Sequence, residues 1–146
     1  MQAFLKLTLC MAAMAFAIIA YSKIRCKYPG FKDPIGKFPF GGEHSKFAGV
    51  LDGWSCSHFI FFFILGLCFP DHMYAAMTYG LLWELSELLT ESTDSKLVSM
   101  LRGVSTCRNN HMKDGEHFFY SKSTDIILNL TGFLIGSGII FIKRKL

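Results

Sequence analysis

Six polar residues set in or beside apolar stretches carry the chemistry this sequence offers: Asp52, His58, Glu84, Glu87, Asp125 and Asn129. Several carboxylates with an Asn amide suit a hard divalent cation with oxygen ligands, Ca²⁺ first and Mg²⁺ or Mn²⁺ next. A neutral His among them suits a general base. Ionisable groups inside a membrane helix are expensive to hold there, so each is a functional candidate in its own right. The plain alternative is a polar network that fixes helix register, its carboxylates protonated or paired with His58.

The spacing predicts that these residues meet. Gly80, Glu84, Glu87 and Glu91 recur every three or four residues and form one helical stripe, and Asp125, Asn129, Gly132 and Gly136 repeat the pattern. The Gly132-xxx-Gly136 step lets a neighbouring helix approach closely. Pro70-Asp71-His72 is a tight turn between two apolar stretches, which predicts a central antiparallel helical hairpin. Counted from Asp71, His58 and Glu84 are equally distant, about 20 Å each at ~1.5 Å per residue. They therefore lie at one depth on facing helices, with Asp52 at the mouth and the start of the last helix at the same end.

The elements that position these residues are long and apolar. The chain is 51% hydrophobic with 15 Phe, and its mean hydropathy is +0.35. Apolar residues gather at about 3–21, 54–70, 72–89 and 125–142, each block long enough to cross a hydrocarbon layer of about 30 Å. The predicted fold is an all-α polytopic membrane protein, a single domain over 1–146 with about four transmembrane helices at those positions. Pro29-Gly30, Asp33-Pro34 and Gly41-Gly42 break regular structure and make 22–53 a loop. The polar segment 90–124 is a second long loop.

Charge placement orients the helices. Net charge is +4, with Lys23, Arg25, Lys27, Lys32, Lys37 and Lys46 in the first loop. Lys96, Arg102, Arg108, Lys113 and Lys122 occupy the second. The positive-inside rule then puts both loops in the cytoplasm and both termini on the far side. Lys143, Arg144 and Lys145 argue the opposite, and the larger count decides. Ala15-Phe-Ala17 imitates a signal cleavage site, but the positive flank follows the apolar block, which suits an uncleaved reverse anchor. The basic residues have no folded platform with interleaved aromatics, so nucleic acid is excluded as a partner. The five Cys form no CxxC pair and no even disulfide framework.

At these residues the sequence resembles two groups of membrane proteins. Asp52-Gly-Trp-Ser-Cys-Ser-His58 keeps the Asp-to-His step of the base-exchange phosphatidylserine synthases, and Trp83-Glu-Leu-Ser-Glu-Leu88 resembles their Trp-Glu-Leu-Thr-Glu-Leu run. Glu116-His-Phe-Phe119 echoes a third motif of theirs, with Tyr120 where that motif ends in Asp. Asp125-xxx-Asn129-xx-Gly132-xxx-Gly136 is similar to the closing motif of the VanZ-like proteins. Together the resemblances span roughly residues 50–138.

The synthase resemblance implies Ca²⁺-dependent exchange of a phospholipid head group, with serine as the incoming alcohol. It implies His58 and Glu84 as catalytic residues, Glu87, Asp125 and Asp52 as metal ligands, and Asn129 and Glu116 on the substrate. Tyr120 removes one ligand from that pattern, and the Asp125-to-Asn129 step is a residue shorter than in the synthases. The VanZ-like resemblance implies fold more than reaction. The expected partners are the lipid bilayer and a phospholipid substrate. Two other readings stay open. One is a non-catalytic structural or scaffold membrane protein of an organelle or enveloped particle, its basic loops docking anionic lipid or a soluble partner. The other is a transporter or channel subunit, which four helices could form only as a homo-oligomer.

Overall fold

Each apolar block of the sequence forms most of an α-helix. The computed structural model describes residues 1–28, 35, 51–92 and 122–146, and the side chains of all of these but 25–27 and 90–92. The helices are α1 (Gln2–Lys27), α2 (Gly53–Cys68), α3 (Met73–Ser92) and α4 (Ser123–Lys145). Among the described residues there is no strand. Three of the four run past their apolar blocks into Lys, Arg, Glu and Ser. The backbone ladder needs no apolar side chains, and Lys, Arg and Glu are good helix formers.

The turn after α2 follows from Pro70, which disfavours helical backbone in the residue before it. Phe69 is the C-cap, its N–H still reaching the Leu65 carbonyl. The His72 N–H then donates to the Phe69 carbonyl at 3.0 Å, and α3 starts one residue later.

The closest helix pair is α2 with α4. A Cβ added at Gly132 would land on the Phe59 carbonyl oxygen, one at Gly136 on that of Phe63, and one at Gly66 on that of Phe133. Backbones touch from both sides, which only glycine permits here. The tight turn predicts a hairpin of the second and third helices; the most extensive helix contact among the described residues is that of α2 with α4. The reason lies in the glycines, each of which faces a Phe backbone of the other helix. Gly80 of α3 meets only side chains, those of Phe62 and Asn129.

α1 is attached at its two ends. Leu7 is buried in one core cluster with Phe62, Leu65, Ala76 and Phe133. Beside it the Thr8 and Tyr79 hydroxyls share a hydrogen bond of 2.9 Å. At the other end the Tyr21 ring sits edge-on to Trp54, centroids 5.6 Å apart. Arg144 pairs with Asp71 at 3.3 Å, so the end of α4 lies beside the α2–α3 turn. The starts of α2 and α4 meet at the opposite end, where Lys122 reaches Asp52.

Several acids are buried among the described residues, while many large apolar side chains are exposed. Among the described residues eight polar or charged side chains are buried against five hydrophobic ones, while Phe16, Tyr74, Ile127 and Ile142 are each more than 60% exposed. A protein surrounded by water shows the reverse for its charged groups. By length and composition α1 and α4 are able to cross a membrane; α2 is equally apolar but only 16 residues long. α3, with its glutamates, does not reach that measure.

Candidate functional site

The site is assembled at one end of the bundle from α2, α3 and α4. His58 sits little more than a turn inside α2, and Asn129 occupies the matching depth on α4. His58 Nδ1 is 3.1 Å from Asn129 Oδ1 and 3.8 Å from Glu84 Oε1. His58, Glu84 and Asp125 each offer a ligand atom, and those atoms all lie within 4.8 Å of one another. Glu84 and Asp125 are 3% and 4% exposed. Asp125 Oδ1 is buried and has no hydrogen-bond partner among the described residues.

The Asn129 amide is compatible with one tautomer of the ring, Nδ1–H. Asn129 turns its Nδ2 towards Gly80, which leaves Oδ1 to accept from His58 Nδ1–H. A neutral imidazole so held keeps Nε2 as an acceptor, which is the condition for a base. The His58 side chain is 15% exposed, so it forms part of the boundary of the buried group. Gly80 makes this arrangement possible, because a Cβ there would lie 3.2 Å from Asn129 Nδ2 and 2.9 Å from the Phe62 ring.

Glu87 lies beside the group. It is 9% exposed, accepts a hydrogen bond from the Trp83 side chain, and feels the charges of Glu84 and Asp125. Buried carboxylates are held by partners or by a metal ion. His58, Glu84 and Asp125 form a group that could hold a metal ion.

Asp52 stands apart from that group. Its Oδ1 accepts the Ser55 N–H at 2.8 Å, capping α2, and its Oδ2 takes Lys122 Nζ at 2.8 Å. It joins the starts of α2 and α4. Replacing Asp52 by Ala should lower stability by about 1–2 kcal/mol, the usual worth of an N-cap. Asp52→Asn keeps the cap and should cost less. Thermal unfolding of both variants, followed by helical circular dichroism, measures the difference. Glu116 lies outside the described residues, as does the Glu91 side chain.

Sequence reasoning missed Lys122 and Gly66. Lys122 reads as one more basic loop residue, although its place just ahead of an acidic helix start is a usable signal. Gly66 is a lone glycine in an apolar helix, and it matters only because Phe133 lies opposite. A cavity of about 590 Å³ adjoins the site. It is bounded by α1, α2 and α3, with Ala15, Tyr21, Trp54 and Phe61 among its walls and His58 and Asn129 on one side. Compared with family models, curated proteins and solved structures, the chain matches none.

Proposed function

We propose that this chain is a multi-pass membrane protein whose buried acids hold a divalent cation, and whose His58 acts as general base on a phospholipid head group. The observation that carries this reading is the convergence of His58, Glu84 and Asp125 within 4.8 Å, which sets a base beside two buried acids, with Asp125 Oδ1 lacking a hydrogen bond among the described residues. Glu84, Glu87 and Asp125 would hold the cation, which supplies neutralisation of charge developing on a phosphate. The synthase resemblance favours Ca²⁺.

The reaction is exchange of one alcohol for another at phosphorus. His58 Nε2 takes the proton of the incoming hydroxyl, serine's in the nearest analogy. That oxygen forms a new P–O bond as the bond to the departing head-group oxygen breaks. The imidazolium then returns its proton to the departing alcohol, so protons and bonds balance. Asn129 keeps the ring in the tautomer that leaves Nε2 available.

Four membrane crossings are part of the proposal. In their favour are the apolar exteriors of α1 and α4 and the inward direction of Glu84, Glu87 and Asp125, which is how membrane helices carry acids. The basic residues of 22–53 and 90–124 support a cytoplasmic position for the site.

The test uses membranes containing the protein, supplied with labelled serine with and without Ca²⁺. Label should enter phospholipid only with Ca²⁺, and Asp125→Asn should reduce it to background. Protein that is inserted and folded yet transfers no label would overturn the exchange reaction.

A further inference from the structure

We infer that the cavity beside the site is an acyl-chain groove, which receives one chain of a membrane lipid with its polar end at Tyr21 and Trp54 and its methyl end at the Thr8–Tyr79 hydrogen bond. This rests on the head-group reading above and adds where the rest of that lipid lies.

One wall of the groove is α1. That helix is pinned at Leu7 and Thr8 and again at Tyr21, and the pins are about 20 Å apart at ~1.5 Å per residue. Between them α1 lines the cavity with three alanines, Ala12, Ala15 and Ala17, beside the larger Met11, Met14 and Ile18. The space left is about 590 Å³. At ~30 Å³ per water-sized group, that accommodates on the order of twenty methylenes, the content of a single acyl chain.

The lining decides the class of occupant. Apolar and aromatic side chains make up nearly all of it, and Ala12, Ala17 and Leu82 on its edge are exposed. A large apolar space has no polar groups to hold water. In a bilayer its open side faces hydrocarbon, and the available filler is a lipid chain. Polarity is confined to defined places. Ser57, His58 and Asn129 lie on the wall shared with the site, and Thr8 and Tyr79 satisfy each other at the deep end. Trp54 and Tyr21 stand at the mouth, where amphipathic rings sit at head-group level.

The depth order makes the inference testable without any reaction. Full-length protein in phosphatidylcholine nanodiscs, kept in a chelator, is doped with phosphatidylserine carrying one diazirine. One probe has it near the ester and the other at the chain end. After photolysis, the near-ester probe should label the peptides around Tyr21 and Ser57, and the chain-end probe those around Thr8 and Tyr79. Ala15→Trp fills the middle of the groove and should reduce both signals by about tenfold, from the usual penalty of overpacking. Labelling of the outward-facing Ile127 and Ile142 should not change, which reports intact insertion. If Ala15→Trp does not insert, Leu82→Trp obstructs the groove from α3 and is read in the same way.

Equal labelling of both depths by the two probes would overturn the groove, as would cavity labelling untouched by both Trp variants. Because no cation is present, the result is independent of the exchange assay. Ordered labelling without exchange leaves the groove standing and the reaction lost. Exchange without groove labelling does the opposite.

Discussion

His58→Ala is expected to lower head-group exchange by about 10²–10⁴-fold while leaving cation binding in place, the range a positioned general base contributes. The geometry separates the two effects. Nδ1 of the ring is committed to Asn129 Oδ1 at 3.1 Å, and the proton-accepting work falls to Nε2. The carboxylates of Glu84 and Asp125 come from other helices, α3 and α4. Removing the ring leaves Asn129 Oδ1 without a donor in a buried place, a penalty of about 1–3 kcal/mol. The variant should therefore be somewhat less stable, still folded, and still able to take up the cation.

Asp125→Asn should show the complementary pattern. The amide has nearly the same shape as the buried acid, which is only 4% exposed, so the variant should still fold. What it loses is the response to the ion. A ligand at a hundred times its dissociation constant stabilises a folded protein by about 2.7 kcal/mol, and Ca²⁺ or Mn²⁺ should raise the melting temperature of the wild type accordingly. The same titration on Asp125→Asn should give no rise. If His58→Ala also lost the rise, the imidazole would be a ligand and the assignment of base and ligands would have to be exchanged. If neither variant changed the rise, the ion would bind elsewhere.

Much of this site is legible in the sequence, and the parts that are not have identifiable reasons. The stripe of Gly80, Glu84 and Glu87, and the matching one of Asp125, Asn129, Gly132 and Gly136, follow from helical periodicity alone; the turn at Pro70 sets the depths of His58 and Glu84. Helix ends were harder, because hydropathy reports where a chain tolerates lipid and says nothing of where its backbone ladder stops. Asp52 shows a different limit. An acid six residues ahead of a His has the spacing of a ligand set, yet at a helix start its oxygens serve Ser55 and Lys122. Partner choice was the least legible. A short turn implies that α2 and α3 are neighbours, but the surface of closest approach is decided by glycines on α4 and by Gly66. Periodicity gives the face of each helix and leaves open which face it meets.

Those glycines carry the second large expectation. Gly136→Leu should leave little folded protein, whereas Gly138→Leu, two residues further along the same helix, should be tolerated. At Gly136 an added Cβ would strike the Phe63 carbonyl oxygen and lie 3.0 Å from the Leu67 nitrogen, both backbone atoms; at Gly138 it would meet nothing within 4 Å. A flexible side chain could turn aside, but a helix backbone has to move bodily. The loss at Gly136 should thus exceed the about 1–3 kcal/mol of ordinary overpacking, while Gly138→Leu should gain some helix propensity. Size-exclusion chromatography and thermal unfolding in detergent distinguish the two, and equal behaviour would mean that α2 and α4 are not packed backbone to backbone. Position along the contact then predicts function. Gly132 abuts the Phe59 carbonyl, next to His58, and its Cβ would also come within 3.1 Å of the Phe63 nitrogen. Gly66 abuts α4 nearer the far end of α2. A small wedge at Gly132 tilts α4 away exactly where Asn129 and Asp125 face His58, so Gly132→Ala should weaken cation binding more than its loss of stability alone explains. Gly66→Ala should lower stability with less effect on cation affinity, because its wedge opens the end of the bundle that holds no site.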